Sequence, residues 1–219
     1  MTGTNDRAGA TDGTDAPRRA DTPRVGVLAL QGDFREHRLT LERLGAEVVE
    51  VRLPRQLDGL AGLIIPGGES TTMAKLMAAY GFDEAIPGFV GAGGALWGTC
   101  AGAIAVATDI VGKDAQPRLG LLDISVDRNA YGRQVASFEA DLTVAGLSGT
   151  VRVLFIRAPR IVRVGEGVEV LSRWEGEPVL VRSGRVMAGV FHPELGGDDR
   201  VHQLFLEGLP RSREPAPAS

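Results

Sequence analysis

Apolar positions along the chain alternate between short unbroken runs and segments of helical spacing. The run VGVLAL at 25–30 is of strand length and has no polar interruption, the pattern of a strand covered on both faces as in a parallel sheet. Phe34, Leu41 and Leu44 then recur at helical spacing, and Gly45 supplies a C-cap. The stretches at 46–52 and 60–66 predict the second and third strands. Met73, Leu76, Met77 and Tyr80 share one face of a helix ending at Gly81. The run at 94–100, followed by helix-like AGAIAVATD, repeats the strand–helix step, and the run at 185–193 precedes a closing helix that turns Val201, Leu204 and Phe205 inward. Between them, 124–126, 151–156, 168–174 and 179–182 predict shorter strands, mixed or antiparallel. The pattern predicts an α/β layered sheet.

Composition narrows the function classes. The 219 residues suit one large domain or two small ones, and no linker-like shift divides the core at 24–209, so one domain is expected. Residues 1–23 carry no large apolar side chain after Met1 and mix Asp with Arg; they and 210–219 read as disordered tails. A net charge of −4 and a pI near 5.5 provide no global positive field, so neither nucleic acid nor a membrane is an expected partner. One cysteine, Cys100, excludes a disulfide framework or a multi-cysteine metal site. With no membrane-length apolar run and no secretory signal, the expected compartment is the cytoplasm.

Three loops at predicted strand ends carry the chemistry, where open α/β sheets place their ligands. The first, Gly98-Thr99-Cys100-Ala101-Gly102, has the form of the G-x-S-x-G nucleophile elbow with Cys for Ser. Its small outer residues permit a tight turn that presents the sulfur at a helix N-terminus, where the partial positive charge favours an anion. The second is Val190-Phe191-His192-Pro193-Glu194. An extended backbone before Pro193 would put His192 and Glu194 on one side, giving a base and its orienting carboxylate. His202 and His37 fall in predicted helices and are expected to be solvated or interfacial. The third loop runs from Ile65 through Pro66, Gly67, Gly68 and Glu69 to Ser70; successive glycines suit an oxyanion or a phosphate. Neither phosphate-loop fingerprint occurs, which favours the oxyanion.

Together these loops resemble the class I, triad-type glutamine amidotransferases. The blocks LALQGDFREH (28–37), PGGEST (66–71), WGTCAG (97–102), DRNAYGRQ (127–134), SFEA (137–140), FIRAP (155–159) and VFHPE (190–194) look like the glutaminase subunits of pyridoxal 5'-phosphate synthase. The resemblance implies a flavodoxin-like three-layer fold with a mixed, mostly parallel central sheet flanked by helices. It implies Cys100 as nucleophile, His192 as base and Glu194 as orienter, and an oxyanion site from Gly67, Gly68 and Ala101. Gly68, Glu69, Ser70, Arg128, Ile156 and Arg157 match the family's glutamine-binding positions, while Trp97 and Tyr131 read as core. L-Glutamine is the implied substrate and a synthase subunit the implied partner in a hetero-oligomer, with no cofactor and no metal. A Cys-His peptidase or esterase, a glutaminase serving another synthase, and a non-catalytic partner-binding relative are the alternatives.

Overall fold

The computed structural model describes residues 22–112, 116–128 and 137–210. Five parallel strands run through its centre: β1 (Arg24–Leu28), β2 (Glu47–Val51), β3 (Gly62–Ile65), β4 (Ala95–Thr99) and β12 (Val186–Gly189). Antiparallel β10 (Glu169–Trp174) and β11 (Glu177–Ser183) extend the sheet beyond β12, in the order β10-β11-β12-β4-β3-β1-β2. β3 and β4 are buried along their whole length, and β1 in all but its first residue, so their sequences are unbroken apolar runs. β2, at the edge, is mostly half-buried. The expected mixed, mostly parallel sheet is what the chain forms.

Helices cover both faces. α1 (Phe34–Arg43) and α5 (Arg200–Glu207) meet on one face, where His37 bonds His202; α2 (Ser70–Ala79), α3 (Phe82–Gly91) and α4 (Ala101–Val106) pack together on the other. Strand alternation along β4 serves both layers. Trp97 and Thr99 face α1 and α5, touching Phe205 and His37, whereas the missing side chain of Gly98 lets α4 approach.

Two small sheets complete the described residues. β5 (Ala107–Ile110), β6 (Leu122–Asp127) and β9 (Arg160–Val164) form one; the hairpin β7 (Phe138–Thr143) and β8 (Thr150–Phe155) forms the other. Several elements depart from expectation. The segment AGAIAVATD is helical only to Val106 and then becomes β5, because Ala107 turns extended and Asp109 and Ile110 pair with β6. α3, β7 and β9 have no counterpart among the predicted elements. Tyr80 caps α2 in an exposed position instead of packing inward. At the amino end, Pro23 accepts a 3.0 Å bond from the Glu47 N–H, a contact ahead of Arg24. The rest of the expected tails, 1–21 and 211–219, lies outside the described residues, as does Tyr131.

Candidate active site

Cys100 stands where β4 ends and α4 begins, at φ 48° and ψ −102°, a region L-residues avoid because of Cβ crowding. Two close approaches hold the turn. A Cβ on Gly98 would lie 2.3 Å from Gly102 O, and one on Gly102 would lie 2.1 Å from Ile65 O. The Cys100 N–H donates to Gly189 O at 2.8 Å, carrying the β4–β12 ladder into the elbow. Ala103 and Ile104 make the first bonds to Cys100 O, which leaves the Ala101 N–H without an intrahelical acceptor at the cavity wall.

His192 follows β12, and its N–H donates to Leu154 O at 2.7 Å, tying it to the β7–β8 hairpin. Glu194 reaches His192 by a different local route from the extended one expected. Pro193–Leu195 forms a 3-10 turn that folds the carboxylate back, bringing Glu194 Oε1 within 2.8 Å of His192 Nδ1. Burial works against charge on His192, but the Cys100 sulfur and the Glu194 carboxylate beside it favour the charged imidazole and push it up to about 10. Burial raises the Glu194 carboxyl, while His192 opposes the rise.

A cavity of about 470 Å³ opens over the elbow. Cys100, Ala101 and His192 line it, together with Gly68, Glu69, Ser70, Arg128, Ile156 and Arg157 from the expected ligand positions. Gly67 sits behind this wall; a Cβ there would fall 2.4 Å from His192 Cε1. Gly68, at φ +147°, packs against the Gln31 amide, whose Oε1 accepts from the Glu69 N–H at 3.3 Å. The Glu69 carboxylate caps α2, accepting from Thr71 N at 3.0 Å and Thr72 N at 2.7 Å, which lowers it to about 2. Arg128 donates to Gln116 Oε1 and, at 3.2 Å, to Thr71 Oγ1, which fixes its guanidinium at the cavity edge.

Sequence reasoning missed Asp33, Ile104, Pro159 and Leu195, which also line the cavity. Asp33 had a readable signal. It occupies the N-cap position of α1, yet its side chain makes no capping bond and places Oδ2 3.4 Å from His192 Nδ1. Asp33, His192 and Glu194 could bring ligand atoms within 4.8 Å of one another, but His192 Nδ1 already meets Glu194. His37 and His202 correct an expectation: both are fully buried, not solvated.

Residues 27–210 match the model of the SNO glutamine amidotransferase family. The chain belongs to that family. Among relatives of this glutamine amidotransferase, a Thermus thermophilus protein named pyridoxal 5'-phosphate synthase subunit PdxT is 60% identical over 184 residues, 84% of this chain and 96% of the relative. A Deinococcus radiodurans protein of the same name is 56% identical, over 83% and 95% of the two chains. A solved structure described as a glutamine amidotransferase superposes with a TM-score of 0.81 at 58% identity, covering 84% of this chain and 97% of the other. PurLQS from Thermotoga maritima, at 22% identity and a TM-score of 0.65 over 85% of this chain and 98% of the other, shares the fold. Among the described residues, no helix is long and apolar enough to cross a membrane.

Proposed function

We propose that this chain is the glutaminase subunit of a pyridoxal 5'-phosphate synthase, with residues 24–209 working as one domain in the cytoplasm. The observation that carries the reading is the meeting of Cys100 and His192 at one cavity that two arginines, Arg128 and Arg157, also line, with Glu194 bonded to His192 behind it. In that cavity a guanidinium suits the carboxylate of a free amino acid.

The Cys100 sulfur attacks the side-chain carbonyl carbon of glutamine. The oxygen takes the negative charge beside the Ala101 N–H and the Gly67-Gly68 segment. The C–N bond then breaks, and His192 gives its proton to the departing ammonia. The same imidazole next takes a proton from water, which attacks the glutamyl thioester and releases glutamate and the thiol. Glu194 holds the imidazole so that Nδ1 is turned away from the sulfur. The ammonia passes to the synthase subunit, and this chain requires no cofactor or metal for these steps.

The Gly67–Gly68 peptide is the switch for partner control. Gly67 O accepts from the Asp33 N–H at 3.3 Å, so the loop after β1 governs which way the peptide faces. Adjacent glycines reorient at little steric cost. Glutamine turnover by the chain, alone and with the synthase subunit named for its relatives, tests the reading. Turnover that rises on mixing and vanishes in Cys100→Ala is expected; a Cys100→Ala protein that still hydrolyses glutamine refutes the triad.

A further inference from the structure

Behind the cavity, away from the substrate side, a line of buried polar groups reaches the Glu194 oxygen that His192 does not use. His37 Nε2 on α1 lies 3.3 Å from Glu194 Oε2 and 3.0 Å from Thr99 Oγ1, and His37 Nδ1 lies 2.9 Å from His202 Nε2 on α5. All three side chains beyond Glu194 are buried, and none lines the cavity.

We infer that His37 is a positioning residue for the triad: its Nε2–H, set in direction by His202 and bonded to Thr99 Oγ1, presents its positive end beside the outer oxygen of Glu194 and so steadies the carboxylate that orients His192. The inference rests on the triad assignment proposed above.

Two tautomer arrangements are open to the pair. If His202 Nε2–H donates to His37 Nδ1, His37 carries its proton on Nε2, aimed between Thr99 and Glu194, and His202 Nδ1 is a bare acceptor. If His37 Nδ1–H donates instead, His37 Nε2 confronts the carboxylate lone pair to lone pair, and His202 must carry a proton on Nδ1.

Three observations decide between them. Among the described residues Glu194 Oε2 is buried with no aligned hydrogen bond, so a lone pair on His37 Nε2 at 3.3 Å would set two acceptors against each other where an N–H would offset the charge. His202 Nδ1 is buried without a partner, a tolerable state for an acceptor and a costly one for an N–H. Trp97, whose Nε1–H is also unpaired, packs edge-on to His202 with ring centroids 5.0 Å apart, and a second orphan donor beside it would compound the cost.

Burial holds His37 well below the ordinary imidazole range, and does the same for His202, lowering it to about 3, so both are neutral and each has one proton to place. The groups facing this line are His192, Asp33 and Thr99 around Glu194 and His37, with Arg43 and Asp199 acting on His202.

The test compares His37→Leu with His37→Gln, whose side-chain amide can present an N–H where the imidazole Nε2–H stands. In His37→Leu, glutamine kcat in the presence of the synthase subunit falls about 10- to 100-fold, taking as the scale the loss of outer hydrogen-bond partners behind metal-binding histidines. KM stays unchanged. The acid limb of kcat/KM moves up, because the Glu194 carboxylate has lost a nearby N–H whose positive end favoured its charged form. His37→Gln recovers kcat to within about threefold of wild type. An unchanged rate and pH profile in His37→Leu, or equal damage in both variants, overturns the proposal.

Cys100→Ala, assayed beside them, separates the failures. If it is inactive while His37→Leu behaves as wild type, only the positioning role falls; if it is active, the triad falls with it. The tautomers are read without any variant by nitrogen-15 NMR of the imidazoles. Both His37 and His202 are expected to be protonated on Nε2, and a proton on His37 Nδ1 overturns the proposal.

Discussion

The nucleophile elbow stores strain at Cys100, and the strain is measurable by comparing Cys100→Gly with Cys100→Ala. Both proteins lack the thiol and both are expected to be inactive, so neither sulfur burial nor turnover distinguishes them. At an ordinary buried position glycine is the worse residue, by roughly 0.7 kcal/mol of backbone entropy and about 0.8 kcal/mol for one lost buried carbon. That total of about 1.5 kcal/mol lowers the melting temperature by about 4 °C in a chain of this size. At φ 48° and ψ −102° the Cβ of alanine keeps the strain that glycine releases, and the release is about 2 kcal/mol within a general range of about 1 to 3. The balance therefore reverses to about 0.5 kcal/mol in favour of glycine, a rise of about 1 to 2 °C. Differential scanning calorimetry of the two variants under one buffer decides it. A glycine variant melting about 3 °C or more below the alanine variant would refute strain at the elbow.

Two further outcomes follow from the geometry. Gly102→Ala places a Cβ 2.1 Å from the Ile65 carbonyl oxygen, a backbone atom that cannot swing aside; we expect a loss of about 1 to 3 kcal/mol in urea unfolding and a displaced elbow with little glutaminase activity. A variant with wild-type stability and rate would show that α4 can shift freely. The second outcome concerns acid. His202 binds its proton at about 3 in the folded chain and near 6.5 unfolded, so the unfolded state holds more protons in that window and stability falls as pH drops through it. His192 has the opposite sign: raised to about 10, it stabilises fully below 6.5 and loses that contribution as pH climbs toward 10. The midpoint of urea unfolding should therefore decline from about pH 6.5 to about pH 4, less steeply in His202→Gln; parallel slopes would contradict a buried neutral His202.

The sheet was legible because burial on both faces writes itself as unbroken apolar runs, as in GLII of β3 and ALWGT of β4. The elbow and the His192 loop were legible because their residue types are restrictive. What escaped had weaker local signals. α3 contains Pro87 with Gly88 and Gly91, which argue against a helix until the packing of Phe82 and Ile86 overrides them. β7 carries acidic residues on its outer face, and its inner side alternates Phe138, Ala140 and Leu142, a short pattern of mixed size. His37 was misplaced although its spacing to Phe34, Leu41 and Leu44 puts it on the inward stripe. A histidine satisfied by another buried histidine leaves no trace in a linear reading, since its partner His202 is 165 positions away.

Cys100 and His192 share the end of β12 and differ in one further support. Cys100 is anchored in the seven-stranded sheet through Gly189, whereas the His192 main chain is clasped by Leu154 of a two-stranded hairpin outside that sheet. A hairpin alone is marginally stable in water and depends on the body it rests against. Opening it would remove one of the holds on the His192 backbone, leaving the one it has through β12, without unfolding the strands that carry the sulfur. The rate of exchange of the His192 amide proton is thus a gauge of how often the enzyme is assembled, distinct from how often it is folded.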